Sequence, residues 1–143
     1  MKVDGRCLCG ATSWEAEVEP SRVFVCHCED CQVQSGAPFR STVITDPSSF
    51  RLTAGELRTW NKTAESGARR TLAFCPTCGT NVYGGPADGE KGFMSLRVGA
   101  LTQRDELDPV AQLWCRSRRP WTTGLGDLQA FDRQPGARPP EDG

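Results

Sequence analysis

Seven of the eight cysteines fall into short groups: Cys7 and Cys9 in "CLC", Cys26, Cys28 and Cys31 in "CHCEDC", and Cys75 and Cys78 in "CPTC"; Cys115 stands alone. Thiols at these spacings are metal ligands by geometry. A C-x-x-C turn curls two thiolates around one ion, and Gly79 directly after "CPTC" lets the backbone turn sharply there. In an extended strand residues i and i+2 share a face, so Cys7 with Cys9, and Cys26 with Cys28, can each offer two sulfurs to one ion, with His27 pointing away. The start of the chain, "MKVDGRCLCGATSW", lacks the apolar core of a signal peptide, and no run approaches the roughly 18 apolar residues of a membrane span. The chain therefore reads as cytoplasmic with no membrane partner, and thiols kept reduced there point to metal rather than disulfides.

Counting ligands partitions the cysteines. Cys7, Cys9, Cys75 and Cys78 together complete a four-thiolate tetrahedron, a closed structural site that clips the N-terminus to a strand far along the chain. Cys26, Cys28 and Cys31 then form a trio. The rival pairing of Cys28 and Cys31 with Cys75 and Cys78 as a zinc ribbon has 43 residues between the pairs, against the usual spacing of roughly 15–20, and strands three cysteines. Four thiolates suit zinc, and "CPTCG" also looks like a rubredoxin knuckle, which would hold iron.

The trio has two readings. A fourth ligand from His27, Cys115 or Asp30 would close it as a second structural site. Left open, a three-thiolate Zn²⁺ site keeps a position for a ligand. Three thiolates leave the site with net negative charge, which suits holding an incoming thiol as thiolate better than activating water. A thiolate is nucleophilic at neutral pH, where a free thiol of pKa about 8.5 is mostly protonated. The open reading therefore points to two zinc ions per chain, one structural and one catalytic, and to sulfur chemistry at the trio. Arg69, Arg70, Arg116, Arg118 and Arg119 are candidates for the thiol's carboxylates. A different class of function, a non-catalytic zinc-stabilised binding module, would use the Arg116–Arg119 cluster with Trp114, Pro120 and Trp121 as a contact surface.

The elements that must position these residues are strands. Apolar residues alternate in "ATSWEAEV", and short β-rich runs follow at "RVFV", "FRSTVI", "SFRLT", "LRTW", "RTLAF", "TNVY" and "FMSLRV". Turn signals at Ala54-Gly55, Gly84-Gly85-Pro86 and Asp88-Gly89 separate them. A helical turn is predicted over Glu29 to Ser35, closing at Gly36, and a short helix near Thr102 in "LTQRDELD". The 143 residues suffice for one domain. With 37% hydrophobic residues and a mean hydropathy of −0.48, its core is thin enough to benefit from metal staples. A net charge of −1 and an isoelectric point near 5.8 argue against nucleic acid as a partner. From Leu125 onward the composition shifts to proline, glycine and charge, so residues 1–124 are expected to form the domain and 125–143 a flexible tail.

"GRCLCGATSW", "VCHCEDCQVQSGAPF", "RRTLAFCPTCGTNVY", "VGALTQRDELDP" and "LWCRSRRPW", in that order, resemble the glutathione-dependent formaldehyde-activating enzymes, a family that includes the centromere protein V relatives. The resemblance runs from about Val3 to Thr123. It implies a mainly β fold, the β-tent, in which short antiparallel sheets are stapled by zinc–cysteine sites. It also implies that Cys7, Cys9, Cys75 and Cys78 are structural zinc ligands and that Cys26, Cys28 and Cys31 hold the catalytic zinc, in agreement with the ligand count. The implied activity joins glutathione and formaldehyde into S-hydroxymethylglutathione, a carbon–sulfur lyase reaction in reverse. Two positions depart from the family pattern. Gln32 follows the trio where relatives often carry a basic residue, and Gln112 stands before "LW" where they often carry histidine; both bear on substrate recognition rather than on zinc.

Overall fold

The computed structural model describes residues 1–136 as a mainly β protein of two sheets. The smaller sheet orders β1 (Lys2–Arg6), β2 (Ser13–Glu17) and β5 (Arg51–Ala54) as β1-β2-β5, all antiparallel. The larger sheet contains β3 (Val23–Cys26), β4 (Arg40–Thr45), β6 (Arg58–Thr63), β7 (Arg69–Phe74), β8 (Asn81–Pro86), β9 (Met94–Arg97) and β10 (Ala111–Leu113). Its order is β10-β3-β4-β9-β8-β7-β6, antiparallel except that β10 runs parallel to β3. One helix, α1 (Glu29–Ser35), follows β3, and Gly36 closes it in the left-handed conformation with its N–H bonded to the Gln32 carbonyl. No helix among the described residues is long and apolar enough to cross a membrane.

Register explains why one face of the large sheet is core and the other is a site. Val43 pairs with both Val23 and Leu96 on the buried side, where Val3, Trp14, Ala16 and Val18 of the small-sheet segment pack against them. Alternation then places Cys26, Arg40, Thr42, Ser95 and Arg97 on the opposite face. Through β8, β7 and β6 the same face continues with Gly84, Leu72, Arg70, Trp60 and Lys62. Helix α1 lies over that face: Lys62 Nζ donates to Asp30 at 2.7 Å, and Gln34 bonds both Arg40 and Asn81.

Three expectations, two turns and one helix, are corrected. Gly84-Gly85-Pro86 lies inside β8, and only Asp88-Gly89 forms the turn. A Cβ at Gly84 would meet Arg97 Nη2 at 3.0 Å, so the glycine makes room across the sheet rather than turning the chain. Ala54-Gly55 turns the chain from one sheet to the other instead of closing a hairpin, because β5 and β6 belong to different sheets. The segment after Thr102 forms only a 3₁₀ turn, Arg104–Glu106. The expected tail begins within the 3₁₀ segment Pro120–Asp127, and its residues 137–143 lie outside the described residues.

Strand β1 is anchored to the 101–103 segment by Asp4, which accepts from Thr102 Oγ1 at 2.7 Å and Gln103 Nε2 at 2.8 Å. These bonds, Gln103's first, hold the Asp4 carboxyl below its ordinary value of 3.8. A depressed folded-state pKa contributes stability that is present above the unfolded value and is lost as pH falls through the folded one. Asp4→Asn is therefore expected to lower the melting temperature slightly at about pH 6, the difference shrinking only as pH falls below the ordinary carboxyl value of 3.8. Paired thermal melts across that range check it.

Candidate metal centre and active site

The four-cysteine group comes together as the ligand count requires, though not from an extended strand. Strand β1 ends at Arg6, and Cys7 to Gly10 form a turn in which Gly10 N–H donates to the Cys7 carbonyl at 3.0 Å. Cys75 to Gly79 form a turn one residue longer after β7, with Gly79 N–H on the Cys75 carbonyl at 2.9 Å. Both turns close on glycines with positive φ, 80° at Gly10 and 76° at Gly79, where a side chain would be strained. The two turns interlock: Thr80 Oγ1 accepts from Leu8 N at 3.0 Å and lies 3.2 Å from Cys78 Sγ.

The sulfurs of Cys7, Cys9, Cys75 and Cys78 all lie within 4.8 Å of one another and could hold one metal ion. Cys7 Sγ is 3.5 Å from Cys9 Sγ, which is 3.9 Å from Cys75 Sγ. Four sulfurs at about 2.3 Å from a zinc ion would be about 3.8 Å apart, so the cage is of the size such an ion requires. The surroundings pull the sulfurs in both directions. Although the Ala11 amide lowers it, Cys9 is pushed up to about 11 by the neighbouring Cys7 sulfur and by desolvation, whereas other groups favour thiolate. Thr12 N–H points at Cys7 Sγ from 3.2 Å, and the Thr80 hydroxyl, then its amide, pull the Cys78 thiol down to about 5.

The trio is built by the end of β3 and the start of α1. Cys26 closes the strand, Cys28 is the N-cap of the helix and accepts from Cys31 N–H at 3.3 Å, and Cys31 lies in its first turn. Their three sulfurs lie within 4.8 Å of one another, and among the described residues no histidine, carboxylate or further cysteine joins the group. His27, Asp30 and Cys115, the sequence's candidates for a fourth ligand, are all outside it. The half-buried sulfurs act on each other: a hydrogen bond from Cys31 lowers the Cys26 thiol, the same bond raises Cys31, and burial raises Cys28. Three soft donors, each a free thiol, suit a soft or borderline divalent ion with a position left over. Cys28 borders a cavity of about 420 Å³ also lined by Lys62 and Trp114.

His27 faces away from the sulfurs and is 2% exposed. Its Nε2 lies 2.9 Å from Gln112 Oε1, its ring meets Phe39 edge-on at 5.5 Å, and Nδ1 has no partner. Gln32 Nε2 donates to the His27 carbonyl at 2.8 Å and to the Ser117 carbonyl at 2.9 Å. The two positions that depart from the family pattern thus converge on one residue, Gln112 on its ring and Gln32 on its backbone. The parallel pairing of β10 with β3, which the sequence did not reveal, creates this clamp. Gln112→Ala is expected to cost on the order of 1 kcal/mol, since a buried ring N–H loses its acceptor. Gln112→Glu, which keeps an acceptor, should recover most of it in urea unfolding.

Of the arginines singled out in the sequence, only Arg70 lies on the site face. Arg69, Arg116 and Arg119 are exposed and Arg118 is intermediate. The sequence reading missed Arg40 and Arg97, which are 8% and 9% exposed on that face. The available signal was a charge inside two short, largely apolar segments, "FRSTVI" and "SLRV". Burial, then the nearby Arg40, pushes Arg97 down to about 9, while Cys31 and Cys26 oppose the shift.

The family model for glutathione-dependent formaldehyde-activating enzymes matches residues 2–117. An uncharacterized lyase of Schizosaccharomyces pombe is 30% identical over 90 residues, which span 63% of this chain and 62% of the relative's length. A crystal structure of a Rhodobacter sphaeroides protein matches with a TM-score of 0.59 and 22% identity, over 76% of this chain and 98% of that one. That likeness concerns the fold.

Proposed function

Because the chain belongs to the glutathione-dependent formaldehyde-activating enzyme family, we propose that it is a carbon–sulfur lyase-type enzyme that joins a small, glutathione-like thiol to a formaldehyde-like aldehyde at the trio. The observation that carries this reading is the composition of the trio: three sulfurs gathered by β3 and α1, with no fourth protein ligand among the described residues. In this reading residues 1–124 are the catalytic unit and 125–143 an appendage. Cys7, Cys9, Cys75 and Cys78 hold a structural zinc, and Cys26, Cys28 and Cys31 hold a catalytic one. A zinc ion at the trio would keep an added thiol ionised at neutral pH.

The chain's own residues do the rest. The Cys28 N-cap and the Cys31 amide fix the geometry of the sulfurs. The clamp of Gln32 and Gln112 on His27 fixes the β3–α1 corner that carries them. The cavity at Cys28 has room for a small aldehyde beside the thiol, which supplies proximity. In the forward direction the thiolate sulfur bonds to the carbonyl carbon, the C=O π pair moves to oxygen, and that oxygen takes the proton the thiol released.

A second reading, a zinc-stabilised binding module, rests on Trp121, Leu125, Leu128 and Phe131, which stand exposed near the end of the described chain. One assay separates the two: glutathione consumption dependent on formaldehyde, corrected for the spontaneous reaction, with the zinc-loaded protein. Acceleration that vanishes in trio variants supports the enzyme. Tight binding of two zinc ions without acceleration supports the module.

A further inference from the structure

Beneath the trio, the face of the large sheet carries three guanidinium groups and nothing to neutralise them. Arg40 pairs with Cys26 across β3 and β4, Arg97 sits opposite Thr42 on the same face, and Arg70 follows across β8. Four ion pairs occur among the described residues, and none includes these arginines. Arg40 leans on the neutral amide of Gln34. Arg70 donates to the carbonyls of Phe93 and Gly84 at 3.1 and 3.0 Å and lies over the Phe93 ring. Arg97 is the least satisfied: its one hydrogen bond is from Nη1 to Ser95 Oγ at 3.4 Å, and Nε is buried with no partner. Gly84 makes room for Nη2, which a Cβ at that position would meet at 3.0 Å.

A buried cation without a counter-charge destabilises a protein, so its persistence calls for an anion that arrives with a ligand. The thiolates of the trio do not suffice. With a divalent ion they carry one net negative charge, against three guanidiniums. We infer that this floor, with Arg97 at its centre and Arg40 and Arg70 flanking it, is an anion subsite that receives a carboxylate of the thiol. The inference rests on the reading of the trio as a thiol site. It adds to that reading the residues that would receive a carboxylate of the glutathione-like thiol while its sulfur reaches Cys26, Cys28 and Cys31. Guanidinium groups suit that role because their planar N–H pairs match a carboxylate edge.

The test is calorimetric binding to the zinc-loaded full chain, with glutathione, its diethyl ester, 2-mercaptoethanol, and the tripeptide whose thiol is replaced by methyl. Wild type is expected to bind glutathione at least about tenfold more tightly than the diester. Arg97→Met is expected to bind the two alike, with its zinc content unchanged and its ligand-free melting temperature no lower than wild type's. Arg97→Lys, which keeps the charge without the planar fork, should fall between. Equal binding of acid and diester by wild type overturns the subsite, as does a preference that survives in Arg97→Met. The two readings fail separately. If 2-mercaptoethanol binds and adds to formaldehyde while the acid has no advantage, the thiol site stands and the subsite falls. If the sulfur-free tripeptide binds as tightly as glutathione and depends on Arg97, the subsite stands and the thiol reading of the trio falls.

Discussion

Cys75→Ser is expected to leave the chain without a cooperative thermal transition, and strong chelation of the wild-type protein should do the same. Cys75 is buried, and its sulfur belongs to the cage that joins the turn after β1 to the turn after β7. Those turns are 66 residues apart in sequence, Cys9 to Cys75. Apart from the cage, few polar bonds cross there, notably Leu8 N to Thr80. A structural zinc contributes on the order of 10–16 kcal/mol to small zinc domains, whereas a whole domain is stable by about 5–15 kcal/mol. Losing a metal held there would therefore outweigh the net stability, even if serine keeps some of the packing. Circular dichroism melts with and without added zinc measure the effect. A Cys75→Ser protein that melts like wild type would show that the cage is not a structural centre.

How much of this was legible beforehand follows from what kind of signal each feature leaves. Helix α1 over Glu29–Ser35 is legible from Gly36 as its stop, because a left-handed glycine is a local feature. The two cysteine groups were legible because metal ligation needs particular residue types in a particular number. The turn at Cys7–Gly10 was misread as strand, since "CLC" has the spacing of an extended run and only Gly10, at positive φ, marks the bend. Strands β1 and β10 were not read. β1 carries Gly5 amid charges, and β10 has three exposed residues whose only reason to be extended is a parallel partner 87 positions earlier, as Ala111 with Phe24. Non-local pairing of that kind leaves no periodicity. The buried arginines were hidden for the same reason: whether Arg40 and Arg97 face water or a floor depends on which strands flank them.

That dependence bears on function. The sheet's two faces are built from the same alternation, one side closing the core through Val23, Val43 and Leu96, the other holding cations beneath sulfurs. A one-residue slip of β4 against β3 would exchange the two. The core packing of Val43 therefore also fixes Arg40 next to Cys26, so fold and site share one register.

Cys28→Ser is expected to abolish the zinc-dependent acceleration of thiol addition while leaving the fold intact. The fold should survive because Cys28 acts as the N-cap of α1, accepting the Cys31 amide, and serine is among the best N-cap residues. Metal at the trio should not survive at full occupancy, since two sulfurs remain of three. The size of the loss separates two contributions. A free thiol of pKa about 8.5 is roughly 3% ionised at neutral pH, so complete ionisation alone accounts for about 30-fold. Holding thiol and aldehyde side by side adds an entropic advantage that can be far larger. A fall of about 30-fold, with the variant's remaining rate rising with pH as free thiolate accumulates, would assign the enzyme's advantage to ionisation. A fall of about 10³-fold or more would assign the remainder to proximity in the cavity at Cys28. The same variant should retain the wild-type melting transition, because the four-cysteine cage is untouched. Full activity in Cys28→Ser with the trio's metal absent would overturn the proposed function.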